Sequence, residues 1–440
     1  MKLSDAHKAR LERTMKWFAP ARFGMFYHYG LYTGGGCSVA IEDDIYESRM
    51  KYETAEEFEA ATPGPEAVAA NMAQAAKDIG AKYAILTAVH TGDAITVLFP
   101  TKNPTFYHKT NGDYVGEFIK ACNAREIKPF LYLPMGFGGW EQAPYGPCID
   151  PKVGEQGFPA YYTLLCELIN EIYDRYGKAL AGLWLDGRPE FGMERIPAYI
   201  RSLWGDDIII TNNAAAELDV PETDFGTSEE HEDPCSPAYN RWSGYRRNGR
   251  WGATPPRRDF NEDIPTPNYW WYNGPGRFKP EYLNDRFFLL REFCCAMGQR
   301  GIWNFAPGIG PMIDGTMPPE ILPSLKAIQD FLEWGSEAIY STKGAEATIM
   351  TPGYFDHHNS IGFCSITTPY ADPNTFYVLV TQTPLKGFAL FETAGYVPKR
   401  ITDLRTGEEL SFEMWSGPYL EGVDWSDVDT YGVKVLKFEF

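Results

Sequence analysis

The chain has 440 residues, 44% of them hydrophobic and 22% charged, the composition of a globular protein too long for one ordinary core. Its net charge of −19 argues against affinity for nucleic acid or an anionic membrane, both of which need a cationic surface, and no apolar run is long enough to span a bilayer. The eight cysteines show no CxxC pairing and fall in apolar or helical stretches, so they read as reduced thiols; with no apolar leader after Met1, the cytoplasm is the expected compartment. Aromatic residues are abundant, with 12 Trp and 27 Tyr, which points weakly to carbohydrate.

After a basic helical lead-in over residues 1–20, the run 22–28 reads as an apolar strand that ends on His28. Residues 34–59 are polar and irregular, a loop over the strand ends. Pro65 opens a helix over 66–79 that Gly80 closes, and 81–88 is a second strand, leading to His90. The alternation continues with helix 114–125, strand 128–133, helix 161–176 with its stop at Gly177, strand 181–186, helix 196–204, strand 207–211 and a shorter strand 224–227. Beyond an Arg- and aromatic-rich loop come strand 269–272, helix 281–297, strand 301–306 and helix 321–334. Eight strands alternating with helices predict an α/β protein with a (β/α)8 barrel over residues 1–344. From 345 the helical period stops, and β-prone stretches such as 375–380 and 432–438 between Pro, Gly and Asp turns predict a small C-terminal antiparallel β-sandwich over 345–440.

The stretch Gly182-Leu183-Trp184-Leu185-Asp186-Gly187 is a short apolar strand that ends on one carboxylate. An Asp at that position serves either as the N-cap of the next helix or as a catalytic group at the strand's carboxyl end. Arg188-Pro189-Glu190 supplies no capping-box spacing, and these residues alone leave both roles open.

The blocks FGMFYHYGLY (23–32), AKYAILTAVH (81–90), IKPFLYLP (127–134), LWLDG (183–187), DFGTSE (224–229), NFAPGIGPMIDGTMP (304–318) and EWGSEAIYSTKG (333–344) resemble, in order and spacing, the successive motifs of the α-L-fucosidases of glycoside hydrolase family 29. That family usually carries a C-terminal β-sandwich. The resemblance implies that Asp186 is the nucleophile of a retaining glycosidase, which needs one ionised carboxylate to attack the anomeric carbon and a second, protonated one to release the leaving oxygen. It implies Glu229 as that acid/base, 43 residues on within Asp224-Phe225-Gly226-Thr227-Ser228-Glu229, with Glu230, Glu232 and Glu262 as reserves. Crowding among Glu229, Glu230 and Glu232 is a way to raise one of them towards the value a general acid needs. His28 and His90 match histidines that grip sugar hydroxyls; one histidine at a strand end is ordinarily structural, whereas two at successive strand ends favour ligand binding. Tyr132, Trp184 and Trp271 offer rings for the apolar face of the sugar, with core packing as the alternative for each.

Four positions depart from the family pattern. His-Trp-Gly becomes His28-Tyr29-Gly30, His-His-Asp-Gly becomes His90-Thr91-Gly92-Asp93, Glu-Trp-Tyr has its counterpart in Asp44-Ile45-Tyr46, and the second Tyr of Leu-Tyr-Tyr-Ser is Leu133. Each is expected to line the sugar pocket, with Tyr29 and Asp44 as substrate-binding candidates, so a different hydroxyl pattern becomes a live alternative. The expected reaction is retaining exo-hydrolysis of α-L-fucosides or a close L-sugar such as an α-L-galactoside; a catalytically silent glycan-binding protein is the rival. No metal and no cofactor is expected, because His90 with Asp93 is too small a ligand set and His357-His358 falls in the sandwich. The 235–269 loop, with Arg241, Arg246 and Arg250 among aromatic residues, suits either the leaving-group side or contacts between copies in a homo-oligomer.

Overall fold

The computed structural model describes residues 5–34, 37–39, 46–48, 51–90, 95–135, 150–156, 158–187, 195–213, 222–229, 260–268, 270–272, 274, 278–298, 302–345, 348–350, 364–384, 388–391, 397–414 and 417–440. After helix α1 (Asp5–Met15) comes strand β1 (Gly24–Tyr27), followed by helix α2 (Pro65–Asp78), β2 (Tyr83–Thr87), α3 (Tyr114–Asn123), β3 (Lys128–Pro134), α4 (Phe158–Tyr176), β4 (Gly182–Asp186), α5 (Arg195–Trp204), β5 (Ile209–Asn212), β6 (Gly226–Glu229), β7 (Phe260–Ile264), α6 (Phe288–Gly298), β8 (Ile302–Phe305) and α7 (Leu322–Gly335). Strands β1 to β5 pair in chain order as one parallel sheet, and β6 to β8 as another. Parallel bridges join both edges: Thr211 to Phe225 on one side, Phe23 to Phe305 and Phe26 to Gly308 on the other.

Two apolar layers hold this arrangement. Helix α2 turns Val68, Ala69, Met72, Ala73 and Ala76 to the sheet, one stripe of a 3.6-residue period, within the layer between strands and helices. On the inward face, Phe26, Tyr83, Phe130, Tyr132, Trp184, Phe225 and Phe260 form a second, aromatic cluster. Glycines make room for these rings: a Cβ at Gly24 would collide with the ring of Tyr83, and one at Gly182 with the ring of Phe130.

The seventh strand is where the sequence reading needs correction. Residues 269–272 were expected to form it, yet Trp270 has φ of 80°, a left-handed conformation that no β-strand accommodates. The strand is Phe260–Ile264, parallel to both β6 and β8. Its two carboxylates disguise it, because Glu262 is fully buried on the inward side and its charge-bearing group is bonded there to other strands.

Beyond α7, β9 (Thr342–Gly344), β10 (Thr348–Met350), β11 (Cys364–Pro369), β12 (Thr375–Val380), β13 (Phe388–Phe391), β14 (Arg400–Asp403), β15 (Glu413–Met414), β16 (Pro418–Leu420) and β17 (Lys434–Glu439) form two antiparallel sheets, ordered β9-β11-β12-β17-β14 and β10-β13-β16-β15. Leu420 of the second packs with Ile366, Val378, Val380, Ile401, Leu436 and Phe438 of the first in one core. Among the described residues no helix is long and apolar enough to cross a membrane.

Candidate active site

The carboxyl ends of the parallel strands gather the site residues. Asp186 closes β4, and its carboxylate is held by three donors. The Tyr132 hydroxyl donates to Oδ2 at 2.6 Å; the Gly187 backbone N–H and the Asn213 amide donate to Oδ1 at 2.7 and 2.8 Å. The Asn213 amide is itself oriented, since the Thr227 hydroxyl donates to its Oδ1. A side chain fixed on both oxygens is aimed. Among the described residues, the partners of Asp186 lie on β3, after β5 and in its own turn.

His28, just past β1, is 1% exposed, and burial first, with His90 second, holds its pKa well below the ordinary histidine value. His90 is lowered to about 4, again by burial, with the negative charge of Asp186 opposing. Both imidazoles are therefore neutral at neutral pH, able to donate from one nitrogen and accept at the other. The His28 ring centroid lies 5.3 Å from His90, 4.5 Å from Trp270 and 5.0 Å from Trp271, and His90 stacks on Tyr132 at 4.7 Å. His28, His90, Tyr132, Trp270 and Trp271 thus form one ring-lined cluster beside Asp186.

Trp184 lies lower. Its ring is stacked against Tyr132 at 5.5 Å and its Nε1–H donates to Glu262 Oε2 at 2.9 Å. The other oxygen of Glu262 accepts from the Tyr83 hydroxyl at 2.5 Å. Burial raises the Glu262 pKa to about 7 against the pull of these two bonds. Tyr29 is not brought to the cluster. Side chains alternate along an extended chain, so Tyr29 faces away from His28, packs on Phe58 and Tyr114, and donates to the Ile313 carbonyl at 2.6 Å.

Glu229 is the last residue of β6, two residues past Thr227 and at the same end of the sheet as Asp186; its side chain lies outside the described residues, as do Asp44, Asp93, Glu230, Glu232 and the loop 235–259. The Asp224 that opens its motif is an anchor: fully buried, it accepts from Arg13 Nε at 2.7 Å, from Arg201 and from the Ile210 backbone N–H at 2.9 Å. This locks the start of β6 against α1, α5 and β5. Sequence reasoning missed Asn213 and Thr227, whose only local signal is a polar residue at a strand end. Among the described residues no group of three or more His, Cys, Asp or Glu is placed to hold a metal ion.

The alpha-L-fucosidase family model matches residues 3–337. No curated protein sequence matches the chain. Among solved structures, alpha-L-fucosidase isoenzyme 1 from Paenibacillus thiaminolyticus is 20% identical with a TM-score of 0.69, covering 98% of this chain and 99% of that one. The Thermotoga maritima alpha-fucosidase is 20% identical with a TM-score of 0.68 and 99% coverage of each chain. A Bacteroides thetaiotaomicron alpha-L-fucosidase of family 29, solved as a trapped covalent intermediate with 2-fluoro-fucosyl fluoride, is 18% identical with a TM-score of 0.68, covering 100% of this chain and 97% of that one. At these identities the structural likeness establishes the shared fold, and the match of the family model establishes the rest: the chain is a glycoside hydrolase that belongs to the alpha-L-fucosidase family.

Proposed function

We propose that this enzyme is a retaining exo-glycosidase that removes terminal α-L-fucosyl or closely related L-sugar residues, with Asp186 as nucleophile and Glu229 as acid/base, at the mouth of a (β/α)8 barrel. The barrel reading is supported by the ring order of the eight strands and by the bridges at both sheet edges. The single observation that carries the mechanism is the Asp186 carboxylate held by Tyr132, Gly187 and Asn213 beside two neutral histidines. An Asp186 oxygen attacks the anomeric carbon while the bond to the leaving oxygen breaks, and the Glu229 carboxyl gives that oxygen its proton. Glu229 then takes a proton from water, whose oxygen displaces Asp186, so the configuration is retained.

Glu229 is favoured over Glu262 on placement. A general acid must meet the leaving oxygen at the open end of the strands, whereas Glu262 is fully buried and both its oxygens are engaged by Tyr83 and Trp184. Of the four departures from the family pattern, Tyr29 and Leu133 belong to the layer between strands and helices; the changes at Asp44-Ile45 and Thr91-Gly92-Asp93 motivate a second reading of the substrate, an α-L-galactoside, which carries a hydroxyl on the carbon that is a methyl in fucose. The test compares release of aryl alcohol from the α-L-fucoside and the matching α-L-galactoside by wild type and Asp186→Ala. Release by wild type, lost in the variant and partly restored by azide, is the expected result. Binding of free fucose without turnover of either glycoside would replace the enzyme reading with that of a silent glycan-binding protein.

A further inference from the structure

We infer that the indole N–H of Trp271 donates a hydrogen bond to a hydroxyl of the bound sugar, which makes Trp271 a specificity-determining contact. The inference rests on the L-sugar reading above and deepens it. Trp271 is 2% exposed, and its Nε1 is buried with no hydrogen-bond partner. A buried indole N–H ordinarily finds an acceptor, and an orphan at a site is explained by a partner that arrives with the ligand. Its neighbourhood says which ligand. The ring meets His90 edge to face at 4.7 Å and 89°, and His28 at 5.0 Å and 75°; His90 in turn feels the charge of Asp186.

A second orphan lies in the same cluster. His28 Nδ1 is buried without a partner, and the lowered pKa leaves it an uncharged ring. Two unpaired polar atoms on adjacent rings beside the nucleophile match the alternating donors and acceptors of a polyhydroxylated ring. The turn that presents Trp271 is also strained, with the preceding Trp270 at φ of 80°, a conformation kept where surrounding structure or function demands it. The role differs from that of a stacking platform, because nearly all of the ring is covered within the protein and only its N–H lacks a complement.

The test is kcat/KM for wild type and Trp271→Phe on an aryl α-L-fucoside and on its 2-, 3- and 4-deoxy counterparts, read as a cycle between protein and substrate changes. The expected result is a loss of about 5- to 150-fold on the parent glycoside, the range for leaving one hydrogen-bonding group unpaired, that vanishes on one deoxy substrate only. An unchanged rate on the parent, or the same loss on all four substrates, overturns the inference. Should Phe disturb the turn, benzothienylalanine at position 271 keeps the bicyclic shape without the N–H and gives the same readout. A wild type that neither hydrolyses nor binds fucosides or galactosides overturns the functional reading and this inference together, whereas an active wild type matched by Trp271→Phe overturns this inference alone.

Discussion

Glu262→Gln isolates the energetic cost of the buried carboxyl beneath the site. Glu262 is raised from 4.5 to about 7, first by burial and then by Asp263, so the folded state holds its proton more tightly than the unfolded one. Its contribution to stability is complete below pH 4.5, declines as pH rises and is lost above about pH 7. A shift of that size amounts to about 3 kcal/mol. Glutamine mimics the protonated acid: its carbonyl accepts from Trp184 Nε1 and its amide donates to the Tyr83 oxygen. The variant therefore tracks wild type at pH 4.5 and gains about 3 kcal/mol relative to it by pH 8. For the segment 3–337, an unfolding entropy of about 2.1 cal/mol/K per residue turns this into a relative rise in Tm of about 4 °C. Thermal unfolding of both proteins at half-unit pH steps reads the difference directly, since titrations common to both cancel. A Tm difference that stays flat between pH 4.5 and pH 8 would refute the burial argument.

Asn213→Ala removes one of two N–H donors from Asp186 Oδ1 and frees the carboxylate to rotate; steady-state kinetics should show kcat lowered by about 10- to 100-fold with KM within about threefold. Thr227→Val, one bond further out, should act in the same direction but less. Because burial depresses His28 and brings His90 to about 4, both stay neutral as pH falls from 7.5 to 5.5; KM is expected to be level over that range, and a rise centred on pH 6.5 would contradict the placement. For His90 the folded value lies below the unfolded 6.5, so its stabilising share is present above pH 6.5 and is lost as pH falls through about 4. Glu229→Ala in azide should form the glycosyl azide of retained configuration, whereas Glu262→Ala should not; the opposite result would exchange their roles.

The alternation of apolar strands with helices was legible because inward and outward faces both demand apolar residues at fixed periods, and Gly80 after α2 marks its stop. Strand β7 was not legible. Phe260-Asn261-Glu262-Asp263-Ile264 reads as a polar loop until Tyr83 and Trp184, 179 and 78 residues away, are seen to bond Glu262. The aromatic run 269–272 has strand-like composition, and nothing local announces the positive φ at Trp270. At the site, Asp186 stands out as a lone carboxylate closing an apolar strand. The group that orients it does not, because Asn213 lies 27 residues away in sequence and Thr227 another 14. Tyr29 illustrates a limit of motif reading: it occupies the middle of His28-Tyr29-Gly30, but alternation turns it into the outer layer, where its hydroxyl bonds the Ile313 carbonyl. Asp224 looked like part of an acid/base signature and proves to be a buried anchor for two arginines.

The central claim is that Asp186 attacks the anomeric carbon, and trapping tests it most directly. Incubation with 2-fluoro-fucosyl fluoride, whose fluorine slows breakdown of the glycosyl–enzyme, should raise the intact mass by one fluorofucosyl unit, and peptide mapping should place that unit on Asp186. An unlabelled, catalytically active protein, or a label on any other carboxylate, would contradict the account.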